Sequence, residues 1–161
     1  MTEDTALDLA IEIFRDAYRH QMEGDLSEAA ELYHQSIETY PTAEAYTFLG
    51  WTCSFMGDYD AAIAECMRAI EIDPDFGNPY NDIGAYLIEK GRLDEATIWL
   101  EKAKNALRYD FPAYPHFNLG RVWERRHNYA RALASYLMAV ELDPDYELAK
   151  TAAARLRATF N

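Results

Sequence analysis

The side chains that most often carry chemistry are sparse and poorly grouped in this chain. No two of its four histidines are four residues apart, so no helix turn can present a pair to one metal ion. A Gly-rich phosphate loop, a Gly-x-Ser-x-Gly elbow and a His-Glu-x-x-His helix are all missing. Carboxylate pairs such as Asp58 and Asp60 stand in predicted turns, where helix capping accounts for them. The sequence therefore predicts no catalytic residue, no metal site and no cofactor, and we expect the protein not to be an enzyme.

Composition narrows the class of protein further. The chain has 161 residues, half of them hydrophobic, which is typical of a globular domain. Its 28 acidic and 15 basic side chains leave a net charge of −13, which argues against nucleic acid or anionic lipid as a partner. No apolar run approaches the ~20 residues of a membrane span. The acidic start and the two cysteines favour a cytoplasmic protein without membrane insertion.

The negative charge is concentrated in one half of the chain. Residues 1–76 contain 17 acidic and three basic side chains, whereas residues 77–161 contain 11 acidic and 12 basic ones. Such asymmetry would orient a charged partner or let two copies approach head to tail. The plainer interpretation is that the acidic side chains solvate outer helix faces.

A short turn motif recurs along the chain and marks an internal repeat. In each copy an alanine follows the turn, and these alanines are 33, 34 and 36 residues apart. Apolar residues at helical spacing flank every turn, which predicts a helix, a tight turn and a second helix in each unit. The four turns are Gly24-Asp25-Leu26, Gly57-Asp58-Tyr59, Gly91-Arg92-Leu93 and His127-Asn128-Tyr129.

The punctuation of the sequence predicts where the helices begin and end. We expect a capping box at Thr5 to open the first helix and a longer connection over 109–115 to precede the seventh. A last amphipathic helix, about 146–160, would cover the final repeat. The other predicted helices span 5–22, 26–39, 43–56, 59–72, 77–90, 93–107, 113–126 and 129–142.

The repeat resembles the tetratricopeptide repeat, in which an aromatic residue is followed by Leu-Gly, then by an alanine and a closing proline. The second unit shows the pattern most fully, with Tyr46, Leu49, Gly50, Ala62 and Pro74. The resemblance implies an all-α fold, a right-handed α-solenoid of antiparallel helix pairs without a β-sheet. We expect residues 1–161 to form a single domain with repeats at about 10–43, 43–76, 77–110 and 113–146.

The family pattern also assigns packing roles. Small residues such as Gly84 and Ala96 would let the two helices of one unit approach closely. Cys53 and Cys66 stand where the family usually has aromatic residues, and we interpret them as two small buried hydrophobes. Spacing alone leaves their oxidation open.

The resemblance implies that the first helix of each pair, the front helix, lines a concave groove. In this family the groove holds a protein or peptide ligand. The corresponding positions here are aromatic in the N-terminal half and polar in the C-terminal half. Because signature positions already fill the helix-pair core, we interpret the aromatic set as a binding anchor, unless the first helix or a second copy covers it. The candidate groove residues are Phe14, Arg15, Tyr18, Phe48, Trp51, Phe55, Asn81, Asp82, Tyr114, Phe117, Asn118, Arg121 and Arg125.

The leading hypothesis is a non-enzymatic protein–protein interaction adaptor. Apolar ligand side chains would dock at Phe48 and Trp51, while Asn118 and Arg121 would meet the ligand backbone or an acidic group. A self-associating scaffold that forms homo-oligomers and an acidic secretion chaperone stay open as alternatives, as does binding on the convex face. The clamp that chaperone-binding members use for a C-terminal carboxylate is missing from the first two units.

Overall fold

The computed structural model describes residues 1–160, and these form nine α-helices and no strand. Successive helices pack as pairs, α1 on α2 through α7 on α8, and each pair packs on the next, with α9 against α8. The predicted all-α solenoid is confirmed. The helices are α1 (Glu3–Glu23), α2 (Leu26–Thr39), α3 (Ala43–Phe55), α4 (Tyr59–Ile72), α5 (Asn78–Glu89), α6 (Leu93–Lys104), α7 (Ala113–Arg125), α8 (Tyr129–Leu142) and α9 (Glu147–Thr159).

Side-chain caps determine where several helices begin. The Asp58 carboxylate accepts a hydrogen bond from the backbone N–H of Ala61 at 2.9 Å, so the Gly-Asp turn also caps α4. The first helix starts earlier than predicted, because Thr2 is its cap and accepts from the Thr5 backbone N–H at 3.3 Å. The predicted capping box at Thr5 is therefore wrong, since Thr5 already lies in the first helical turn.

The turns between the paired helices share one backbone conformation. Gly24, Gly57 and Gly91 have φ values of 85°, 82° and 73°, in the left-handed region that favours glycine. His127 occupies the corresponding position of the last pair with a φ of 58°. The turn of the last pair therefore keeps the left-handed conformation although a histidine replaces the glycine.

In three of the four helix pairs a glycine of the first helix, Gly50, Gly84 or Gly120, faces the second helix. A Cβ atom added at Gly84 would lie 2.5 Å from Cδ2 of Leu100, and one at Gly120 would lie 2.4 Å from Cε1 of Tyr136. The glycines therefore let large side chains of the second helix pack directly against the first helix backbone.

Two groove aromatics also belong to the core. Phe14 and Phe48 are half-buried and pack against a cluster that includes Tyr33 and Leu49. The ring centroids of Phe14 and Tyr33 are 5.5 Å apart. The expectation that the aromatic set is spare from core packing is wrong for these two rings, because α1 and α3 lie close enough for one ring to reach both the core and the groove.

The long connection between α6 and α7 folds back onto the loop that precedes α5. Arg108 donates its backbone N–H to the Asp75 carbonyl and accepts from the Gly77 N–H, both at 2.9 Å. Tyr109 lies directly on Gly77, where a Cβ atom would come within 2.5 Å of the ring. The connection is thus anchored at a defined position beside the groove.

The C-terminal helix α9 closes the last pair. Ala152, Ala153 and Leu156 are buried against Ala132 and Tyr136 of α8. Among the described residues, none of the helices is both long and apolar enough to cross a lipid bilayer.

Replacing Gly84 by leucine tests the helix-pair contact. Gly84→Leu is expected to lower the free energy of unfolding by about 1–3 kcal/mol, because the new side chain overpacks the space that Leu100 fills. Urea denaturation followed by circular dichroism measures the change. Ala64→Leu, at an exposed position of α4, is the matched control and should shift stability by less than about 0.5 kcal/mol. Equal stability of both variants would contradict the packing described above.

Candidate peptide-binding groove

Aromatic residues from four parts of the chain surround one cavity of about 510 Å³ on the groove side of the solenoid. One wall comes from α1 and α3, the other from the α6–α7 connection and α7, and α5 lies between them. The lining residues are Phe14, Tyr18, Thr47, Phe48, Trp51, Asn78, Asp82, Tyr109, Phe111 and Tyr114.

The first wall is a row of rings in edge-to-face contact. Phe48 is its centre, with ring centroids 5.2 Å from Phe14, 5.7 Å from Tyr18 and 5.8 Å from Trp51. Phe55 extends the row, 5.1 Å from Trp51, and is 57% exposed at the groove edge. Edge-to-face packing of this kind holds each ring in a fixed orientation, so the wall is formed before any ligand arrives.

The second wall is a stacked pair next to a third ring. Phe111 and Tyr114 lie 5.3 Å apart with an angle of 9° between their planes. The Tyr146 ring lies 5.1 Å from that of Tyr114. Phe117, also expected in the groove, does not line the cavity and packs half-buried against the α8 and α9 clusters, with its ring 5.1 Å from Tyr146.

Four of the ten cavity residues are absent from the candidate groove residues: Thr47 and Asn78 on the front helices, and Tyr109 and Phe111. Tyr109 and Phe111 lie in the connection and not on a front helix, so the family pattern has no position for them. The signal that could have found them is the 36-residue step between Ala96 and Ala132, together with the aromatic residues inside that extra length. The insertion therefore supplies part of the site.

Asp82 of α5 is the only charged side chain among the described residues that line the cavity. Its nearest polar contact is weak, the Asn81 Nδ2 donating to its Oδ1 at 3.4 Å. None of the ion pairs within residues 1–160 includes Asp82. Burial among the surrounding side chains raises the pKa of this carboxyl group to about 7.

The polar half of the predicted groove is already engaged within the chain. Asn118 and Asn81 are only 6% and 5% exposed, and Asn118 donates to Asn81 Oδ1 at 3.0 Å. Arg121 donates to Asn118 Oδ1 at 3.0 Å and pairs with Glu89. Arg125 donates to the Ile88 carbonyl at 2.7 Å. Ligand contact by these four residues stays a prediction, and it would require these interactions to open.

The structure thus brings six predicted residues to the cavity and leaves the others outside it. Arg15 is exposed and lines a separate pocket with Glu44 of α3. Phe55 lies at the rim, and the remaining predicted residues lie deeper or further along the solenoid. The six that line the cavity are Phe14, Tyr18, Phe48, Trp51, Asp82 and Tyr114.

The histidine, cysteine and carboxylate side chains that could bind a metal ion or be oxidised are spread over the described part of the chain. Within the described part of the chain, no three His, Cys, Asp or Glu side chains come together in a way that could hold a metal ion. Cys66 is buried and Cys53 half-buried, and both are free thiols. Burial raises the pKa of both thiols, which disfavours the reactive thiolate.

Comparison with known families identifies the fold. Models described as tetratricopeptide repeat match residues 43–76, 65–97 and 113–146, together more than half of the chain. The chain belongs to the tetratricopeptide-repeat family. A relative in Oryza sativa subsp. japonica, "Protein SGT1 homolog", is 38% identical over 91 residues, covering 56% of this chain and 23% of that protein. The chain therefore matches about a quarter of that relative's length.

Solved structures place the chain among tetratricopeptide-repeat solenoids. The structure titled "Functional Characterization of Pseudomonas Aeruginosa pilF" has a TM-score of 0.84 at 22% identity, covering 97% of this chain and 69% of that one. The structure titled "Crystal structure of YrrB: a TPR protein with an unusual peptide-binding site" has a TM-score of 0.69 at 19% identity, covering 89% and 73%. At these identities the likeness shows the shared fold.

Neutralising Asp82 is expected to stabilise the protein above neutral pH. The pKa of this carboxyl is raised on folding, so the folded state holds its proton more tightly and loses stability as pH rises from about 4 to about 7. Asp82→Asn removes this cost and should raise the free energy of unfolding at pH 8 by on the order of 1–3 kcal/mol.

Urea denaturation at pH 8 and at pH 5.5, above the pI near 4.6, measures the effect. The gain should shrink by roughly half at the lower pH, because Asp82 is then protonated in the folded state. Asp110→Asn, which removes the same charge from an exposed site, should change little at either pH. A gain that is independent of pH would contradict the desolvation of Asp82.

Proposed function

We propose that this tetratricopeptide-repeat protein is a non-enzymatic cytoplasmic adaptor that binds a segment of another protein in its concave groove. The observation that carries the proposal is the aromatic cavity of about 510 Å³ between α1, α3, α5 and the α6–α7 connection. A cavity of this size, with apolar walls and a few polar groups, has the character of a ligand site.

The rings are both accessible and held in place. Tyr18 is 41% exposed and Tyr114 37% exposed, although each is in contact with another ring. Aromatic side chains that are fixed in advance lose little conformational entropy on binding, which is why they are frequent anchors in interfaces. This supports recognition of apolar side chains of a partner segment.

The family relationship supports a protein ligand. YrrB, which shares the fold, is titled as having an unusual peptide-binding site, and that statement concerns YrrB. The acidic charge of this chain supports a protein partner over a nucleic acid. The SGT1 homologue is much longer than the 91 residues that match this chain, so the likeness supports protein binding and not the activity of that whole protein.

Site-specific crosslinking tests the groove. A photoreactive phenylalanine analogue at position 55, on the rim beside Trp51, is expected to capture a partner protein in native extract. The same analogue at position 148, exposed on α9, is the matched control and should not capture it. Trp51→Ala should reduce capture at position 55 at least fivefold, because it removes one ring of the first wall.

Circular dichroism of the Trp51→Ala variant must match that of the wild type for the comparison to hold. Equal capture from positions 55 and 148 would contradict groove binding and favour another face. If position 55 captures only a second copy of this chain, the homo-oligomeric scaffold replaces the adaptor, and light scattering over a concentration series would show the oligomer.

A further inference from the structure

Asp82 differs from Glu44 and Glu89 near the groove because it forms no ion pair within residues 1–160. Glu89, on the same helix, pairs with Arg121, and Glu44 pairs with Arg108 at 3.2 Å. Asp82 has only the long contact with Asn81 at 3.4 Å. Asp82 is half-buried, and an ionised carboxylate that is partly shielded from water and unpaired is costly, so its place in an otherwise uncharged cavity favours a cationic partner.

The surroundings of this carboxylate suit an organic cation. Phe48 and Trp51 of the first wall and Phe111 and Tyr114 of the second wall line the cavity together with Asp82. Aromatic faces attract ammonium and guanidinium groups through their quadrupoles, and the attraction grows when water is excluded. A cavity with aromatic walls and one carboxylate among its lining residues therefore favours a cationic side chain over a purely apolar one.

None of the basic side chains within residues 1–160 lines the cavity. Arg121 and Arg125 both approach Glu89, and Arg125 also donates to the Ile88 carbonyl. Arg108, in the connection, is held by Asp73 at 2.6 Å and lies over the ring of Phe76. Arg15, the other basic residue among the candidate groove residues, lines the separate pocket that includes Glu44.

The charge distribution of the whole chain points the same way. The first wall belongs to residues 1–76, which carry 17 acidic and only three basic side chains. A field of this sign speeds the approach of basic segments and repels acidic ones. The negative charge of residues 1–76 and the Asp82 carboxylate in the cavity therefore both favour a basic ligand.

We infer that the groove selects a partner segment that carries an arginine or lysine side chain, which enters the cavity with its charge at Asp82 and its stem between the two aromatic walls. The inference rests on the proposed adaptor function and specifies its ligand. Asn78, which also lines the cavity, has no side-chain hydrogen bond within residues 1–160 and is available to the backbone of the bound segment.

Binding of four blocked peptide mixtures tests the inference. Each peptide is Ac-X₄-Z-X₄-NH₂, where X is any uncharged residue and Z is arginine, lysine, citrulline or glutamate, and each mixture carries a neutral fluorophore for anisotropy measurements. Arginine and lysine mixtures are expected to bind at least about tenfold more tightly than the citrulline mixture, as a buried charge-assisted hydrogen bond implies. The glutamate mixture is expected to bind most weakly.

Two variants with the same net charge separate the local carboxylate from the general field. Asp82→Asn should abolish the preference for arginine over citrulline, whereas Asp110→Asn, exposed next to the cavity, should preserve it. Persistence of the preference in Asp82→Asn would overturn the inference, because long-range charge alone would then explain it.

The remaining outcomes distinguish this inference from the proposed function. If all four mixtures bind equally and Trp51→Ala weakens them, the groove binds peptides but the selection of a cation is wrong. If neither basic mixture binds, the inference falls, and crosslinking at position 55 decides whether groove binding falls with it. Circular dichroism of Asp82→Asn at pH 8 confirms that the variant is folded.

Discussion

The close contact between the two helices of each unit is the constraint on which the rest of the structure depends. Gly84 and Gly120 face large side chains of the partner helix at distances that no Cβ atom would allow. The glycines therefore fix how closely the two helices of these units pack. Side chains of α3, α5 and α7 such as Trp51, Asp82 and Tyr114 line the cavity.

The cavity combines two kinds of structural support. Phe14 and Phe48 pack on the core beside Tyr33, so core packing holds these two rings of the first wall in place. The second wall depends on the connection, which the backbone of Arg108 and the ring of Tyr109 attach to the loop before α5. Asp82 lies on α5 between these supports, which explains both its burial and the rise of its pKa.

Much of the fold could be predicted from the sequence. The Gly-Asp turns and the recurring alanines determine the helix pair of one repeat without contributions from distant residues. Most helix boundaries agree with the predicted ranges within three residues. The first helix begins at Glu3, since Thr2 is a better placed cap than Thr5. The amide contact between Asn81 and Asn118 could not be predicted, because it depends on the rotation between successive units, which the pattern within one repeat does not encode.

The connection at 105–112 is the one part of the site that is independent of the repeat frame. It contributes Tyr109 and Phe111 without occupying any position of the helix-pair contact. Substitutions, insertions or deletions there would alter the width and chemistry of the groove while the solenoid remained intact. Ligand preference and fold are thus encoded in separable segments, so that related chains could share this framework and diverge in specificity through a single loop.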